Sequence, residues 1–159
     1  MLESKIKSLK EIETISRRLR AQGKRIVFTN GCFDLIHYGH VKYLQDAKRK
    51  GDILVVGVNS DSSVRHIKGR NRPIVSEKYR IRVIAGLESV DYTFLFNQDT
   101  PLAAIKSVKP DILVKGADWK KSDIVGASFM IRRGGRVDNA RLIKNQSTTG
   151  LIRKIAKTF

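Results

Sequence analysis

The sequence predicts an α/β fold: a doubly wound, mainly parallel sheet with helices on both faces. Two observations carry that prediction. Short apolar runs such as Ile53-Leu54-Val55-Val56-Gly57-Val58 alternate with stretches whose apolar residues recur at helical spacing. The runs are also apolar throughout rather than at every second residue, as expected of strands covered on each side. Parallel neighbours need crossover connections, which are right-handed almost without exception, so few other topologies remain.

Leu2, Ile6, Leu9, Ile12, Ile15 and Leu19 predict an amphipathic helix over residues 4–21, ended by Gly23. Its apolar face could pack on the chain's own core or serve a homodimer. A strand at 25–29, a glycine-containing loop and a helix at 39–50 lead to the strand at 53–58. A short helix near 61–66, a polar loop through Pro73 and a helix from Ser76 to Leu87 follow, with Ser76 expected as the cap. Strands at 91–96 and 111–115 flank a helix at 101–108, where Pro101 is tolerated in a first turn. A helix through 127–133 stops at Gly134-Gly135, and a strand at 136–143 precedes a last helix opened by Ser147-Thr148-Thr149. No internal repeat or linker interrupts this order. One domain is expected over 1–159, with a leading helix in 1–22 and an α/β core in 23–159.

Subtracting 15 acidic from 32 basic residues leaves a net charge of +17 on 159 residues, and 41% hydrophobic content is too much for a disordered chain. Such a surplus attracts anions of every kind: nucleic acid, acidic lipid and phosphorylated metabolites. It is concentrated at Ser62–Arg82, with seven basic residues against one acid, and from Arg132 onward, with eight against one. No stretch approaches the roughly 18 apolar residues of a membrane helix, and the opening residues lead into no apolar signal core. A soluble, cytoplasmic protein is expected. The single cysteine, Cys32, excludes an internal disulfide and a multi-cysteine zinc site. A nucleic-acid-binding module would account for the charge more directly. Against it, aromatics are 7% of the chain and are not interleaved with the basic runs.

In doubly wound sheets ligands bind beyond the carboxyl ends of the strands, at the switch point in strand order. Chemistry is therefore expected just after Thr29, Val58, Phe96, Lys115 and Ile143. The first of these places carries Asn30-Gly31-Cys32-Phe33-Asp34-Leu35-Ile36-His37-Tyr38-Gly39-His40. Gly31 is expected to let the backbone turn tightly towards a phosphate, and Gly39 to remove bulk between two imidazoles at a helix start. His37 and His40 admit three readings: a metal pair, structural histidines, or donors to an anion. Phosphoryl and nucleotidyl transfer depend on positioning and on neutralising charge at the leaving pyrophosphate, which favours the third.

The run from Gly31 to His40 resembles the signature of the HxGH nucleotidylyltransferases, the cytidylyltransferase-like superfamily. Val58-Asn59-Ser60-Asp61, Ile67-Lys68-Gly69, Arg72-Pro73, Tyr79-Arg80, Lys115-Gly116-Ala117-Asp118-Trp119 and Ser147-Thr148-Thr149 are similar, in order and spacing, to landmarks of the ADP-heptose synthase adenylyltransferases. The resemblance implies a Rossmann-like nucleotidylyltransferase fold and transfer of AMP from ATP to D-glycero-β-D-manno-heptose 1-phosphate. It implies ATP-bound Mg²⁺ without a dedicated protein cage, and no covalent enzyme intermediate.

By the same resemblance His37, His40 and Lys42 would be catalytic. Gly31, Cys32 through its backbone, Phe33, Lys68, Arg80, Gly116, Asp118, Ser147, Thr148 and Thr149 would bind the nucleotide, and Asn59 and Asp61 the sugar. Read locally, Lys42 could equally lie on a solvated helix face, Asp61 cap a helix, Gly116 serve a turn and Ser147-Thr148-Thr149 form an ordinary N-cap. Glycerol-3-phosphate cytidylyltransferases also resemble the chain at His37–His40, Asp118-Trp119 and Ser147–Thr149. Leu142-Ile143-Lys144-Asn145-Gln146 stands where those enzymes carry an Arg-Thr-Glu-Gly-Ile lead, which counts against CTP. The sugar kinase often fused ahead of this module is expected as a separate protein.

Overall fold

The computed structural model describes residues 1–116, 123–140, 143 and 147–158. Five parallel strands, β1 (Ile26–Gly31), β2 (Ile53–Asn59), β3 (Tyr92–Phe96), β4 (Ile112–Gly116) and β5 (Arg136–Ala140), lie in the order β3-β2-β1-β4-β5. The chain winds outward from β1 to β3, then returns past β1 to β4 and β5. The switch point therefore falls between β1 and β4, and the doubly wound prediction holds.

The helices are α1 (Leu9–Ala21), α2 (Tyr38–Lys48), α3 (Asp61–Lys68), α4 (Glu77–Gly86), α5 (Leu102–Val108), α6 (Ala127–Arg132) and α7 (Thr148–Thr158). They divide the core by sheet face. Ile12 of α1, Ile105 of α5 and Met130 of α6 pack with Phe28, Val55, Phe94 and Leu113. On the other face Leu44 of α2 and Ile84 of α4 pack with Val27, Leu54, Val56 and Val114.

The amino edge of the sheet is closed by carboxylates. Asp52, Asp111 and Asp91 accept the N–H groups of Arg25, Ile26 and Leu54 at 2.7, 2.7 and 2.6 Å. These donors lie at or beside the starts of β1 and β2 and would otherwise lack partners. The opposite edge is left for ligands.

The first helix starts later than its periodicity predicts. Glu3–Lys5 form a 3₁₀ turn, Ile6 makes a parallel bridge to Thr93, and α1 begins only after Ser8. Ser8 and Glu11 form a reciprocal capping box, which stops the helix from extending backward. Ile12 is fully buried, so the apolar face of α1 is used within its own core.

The start of α4 also differs from expectation. Ser76 occupies the N-cap position, but its side chain makes no capping bond. Asp61 caps the helix instead, accepting the Glu77 N–H at 2.8 Å while Glu77 Oε2 accepts the Asp61 N–H at 2.6 Å. The start of α3 is capped by Ser60, whose hydroxyl accepts the Ser63 N–H at 3.2 Å. The last strand is described as far as Ala140, three residues short of the predicted end.

Candidate active site

A cleft of about 550 Å³ opens over the carboxyl ends of β1, β2 and β4. Its walls include Asn30–Asp34, His37, Gly39, His40, Asn59, Lys68, Arg72, Lys115, Gly116 and Ser147–Thr149. Residues more than a hundred positions apart thus meet in one cavity. Thr148 fixes the meeting directly, its hydroxyl donating to the Leu35 carbonyl at 3.2 Å.

His37 is the N-cap of α2 and His40 its third residue, so the two imidazoles form the capping box themselves. His37 Nδ1 accepts the Gly39 N–H at 3.1 Å, and His40 Nδ1 accepts the His37 N–H at 3.4 Å. A neutral imidazole whose Nδ1 accepts must carry its proton on Nε2. Both rings, with centroids 4.0 Å apart, are therefore held as Nε2–H donors. Burial lowers the pKa of His37, and burial followed by the neighbouring ring lowers that of His40 to about 4. At neutral pH the pair offers directed N–H donors rather than fixed charge.

Phe33 stands edge-on to His40 at 5.6 Å and adopts φ 46°, a left-handed conformation that non-glycine residues seldom take. The tight turn thus falls on Phe33 and not on Gly31, which was expected to make it. A Cβ on Gly31 would sit 3.1 Å from the Phe33 ring, so the absent side chain makes room for that ring. Cys32 lines the cleft, and its backbone carbonyl accepts from Arg80. Burial raises its thiol pKa, which keeps the sulfur protonated and a poor nucleophile.

Two predicted phosphate ligands have other duties. Arg80 is 0% exposed, with Nε donating to Val75 O and Nη2 to Asn59 O and Asp61 Oδ1, at 2.9, 2.7 and 2.7 Å. It braces the loops after β1 and β2 from below and does not line the cleft. Lys42 pairs with Asp46 one helical turn on, at 2.8 Å, and is likewise absent from the cleft wall. Asp61, expected at the sugar, is engaged by Arg80 and the start of α4. Asn59 does line the cleft, with its amide donating to Ser63 Oγ at 2.9 Å. Lys68 reaches the cleft from the last turn of α3, not from the loop after it. Ser147 Oγ accepts the Gly150 N–H at 3.0 Å, so it caps α7 while facing the cleft. Asp118 and Trp119 lie outside the described residues.

Sequence reasoning missed Asp34. Its side chain is 1% exposed and accepts the Ile74 and Val75 N–H groups and Arg72 Nε, the last at 2.7 Å. Burial alone would raise its pKa, but these bonds outweigh that and hold it below the usual carboxylate value. The clasp pins the basic 69–75 segment beside the cleft. Asp34→Asn turns an acceptor into a donor facing donors, and it should lower stability by about 1–3 kcal/mol in urea titrations at pH 7. Because the folded pKa is depressed, the clasp contributes fully above the unfolded value of 3.8 and is lost as pH falls through the folded value. The variant and parent curves should therefore converge in acid.

The cytidylyltransferase-like family model matches residues 28–152, a span that contains the histidine pair, the Asp34 clasp and the start of α7. The chain belongs to the cytidylyltransferase-like family. It is a nucleotidyltransferase by that membership. The bifunctional protein HldE of Citrifermentans bemidjiense is 48% identical over 157 residues, 99% of this chain and 32% of the relative. HldE of Nitratiruptor sp. is 50% identical over 153 residues, 96% of this chain and 32% of the relative. The chain thus spans about a third of the length of these relatives. The crystal structure of a lipopolysaccharide core biosynthesis protein from Thermoplasma volcanium matches with a TM-score of 0.62 and 33% identity, covering 78% of this chain and all of that one.

No helix among the described residues is long and apolar enough to cross a membrane.

Proposed function

We propose that this domain transfers AMP from ATP to D-glycero-β-D-manno-heptose 1-phosphate, releasing ADP-heptose and pyrophosphate. The single observation that supports it most is the Thr148–Leu35 bond, which seats the start of α7 beside the loop that leads into the two imidazoles. Together they offer imidazole N–H groups, hydroxyls and free helix N–H groups to one triphosphate. A phosphate oxygen of the acceptor is already a competent nucleophile. The protein need only align it and stabilise the charge that grows on the leaving group. The acceptor class is also supported by the likeness to a lipopolysaccharide core biosynthesis protein.

The cleft's side-chain donors are ammonium and guanidinium groups, hydroxyls, imidazoles and amides. Among the described residues no three His, Cys, Asp or Glu side chains cluster to hold a metal. Mg²⁺, as the resemblance implies, would be carried in on the triphosphate, held by phosphate oxygens and water. Bound there it would supply charge neutralisation for the pyrophosphate, to which Lys68 at the cleft wall would add a cation. A sugar kinase activity must supply the acceptor and is proposed as the partner reaction.

Pyrophosphate release should require ATP, a divalent ion and the heptose 1-phosphate together. Turnover with CTP and glycerol 3-phosphate in preference would replace this assignment by the cytidylyltransferase one. No turnover across a panel of sugar and polyol phosphates with either nucleotide would reject it.

A further inference from the structure

Lys115 closes β4 beside the switch point, and its Nζ donates to Asn30 Oδ1 at the end of β1. Phe28 is level with Leu113 and with Val55, so Asn30, Lys115 and Asn59 share the sheet face that carries those three. That is the face packed by α5 and α6. The histidines come from the start of α2, which packs on the opposite face. The cleft therefore has two unlike walls. One carries imidazoles and the start of α7; the other carries two amides and one ammonium.

Among the described residues, Lys115 is the group on that second wall without a counter-charge. An ammonium has three donors, and its one hydrogen-bond partner among the described residues, Asn30, is neutral. No carboxylate lies within ion-pair distance of it among the described residues. Half-buried, it feels that lack: burial lowers its pKa to about 8. A buried cation left so is costly unless an anion completes it.

In-line displacement puts nucleophile and leaving group on opposite sides of the transferred phosphorus. With the triphosphate tail on the imidazole wall, the incoming phosphate belongs on the ammonium wall. We propose that Lys115, positioned by Asn30, seats the phosphate monoester of the acceptor and aims its oxygen at the α-phosphorus of the nucleotide. The proposal rests on the nucleotidyl-transfer reading above. The acceptor oxygen bonds to the α-phosphorus as the bond from that phosphorus to the bridging oxygen breaks. Pyrophosphate departs with the electron pair, and Lys115 moves no proton.

The test uses Lys115→Met and Lys115→Gln in the whole chain, with ATP and heptose 1-phosphate varied separately and α,β-methylene-ATP binding measured by calorimetry. Both variants should raise the acceptor KM about tenfold or more, as expected for loss of a charge-assisted hydrogen bond. Affinity for the analogue should stay within about twofold of the parent, since only the acceptor side is touched. The parent's kcat/KM for the acceptor should fall as pH rises through the Lys115 value, near 8 in the free protein, and Lys115→Gln should lack that fall. An unchanged acceptor KM, or an equal loss of analogue affinity, overturns the proposal. A parent protein inactive with every acceptor overturns the parent reading, and this proposal with it.

Discussion

His40→Ala should lower the rate of pyrophosphate release about a hundred- to a thousand-fold, the usual consequence of removing one donor aimed at developing charge. The drop should fall mainly on kcat, because the donor strengthens as charge moves onto the pyrophosphate. His40 Nδ1 is engaged by the His37 N–H, which leaves its Nε2–H for the ligand. The long 3.4 Å bond lost at the helix start is a weak one, so the fold should survive. Circular dichroism and a urea midpoint would separate the two effects. A pH signature goes with it. The folded pKa of His40 is about 4, below its unfolded value of 6.5, so its contribution to stability is complete above 6.5 and is lost as pH falls towards 4. The alanine variant should show a flatter acid limb over that interval. A variant retaining parental turnover would remove His40 from the chemistry.

Arg80→Met should be the most destabilising single change, costing about 3–5 kcal/mol, as when one partner of a buried ion pair is removed. Three carbonyls, on Cys32, Asn59 and Val75, and the Asp61 carboxylate would lose their donors together. Asp61 retains 23% side-chain exposure, so water would soften the loss and the lower end of that range is expected. Arg80→Lys should not rescue it, because one ammonium cannot span carbonyls on both loops. The urea midpoint should fall with an unchanged slope, and turnover should fall too because the Cys32 turn loses its support. A loss well under 1 kcal/mol would mean that water replaces the guanidinium at little cost.

The element order and the location of the cleft were legible because they follow from local pattern. Apolar runs declare strands, and strand order puts ligands at the carboxyl edge. The histidine pair was legible for the same reason: its spacing and its place after β1 are local facts. Arg80 was not. On a helix near the cleft an arginine looks like an anion ligand, and only contacts from Cys32 and Asn59, 48 and 21 residues away, show that it points inward. Lys42 pairs with Asp46 one turn along its own helix, which spacing alone leaves open. The start of α1 could have been found from Ser8-x-x-Glu11, which the periodicity of Leu2 and Ile6 obscured. Lys115 left a trace as well: a lysine ending the apolar run Ile112-Leu113-Val114 at the ligand edge asks for an anion.

The closing helix α7 places no residue in the hydrophobic core, yet its first turn forms one side of the cleft. Robustness and competence are consequently vested in different parts of the molecule. The sheet would endure heat or denaturant much as before if α7 swung outward, while the triphosphate would lose the hydroxyls beside it. Damage to the first turn of α7 would go unseen in a melting curve and would register only in turnover.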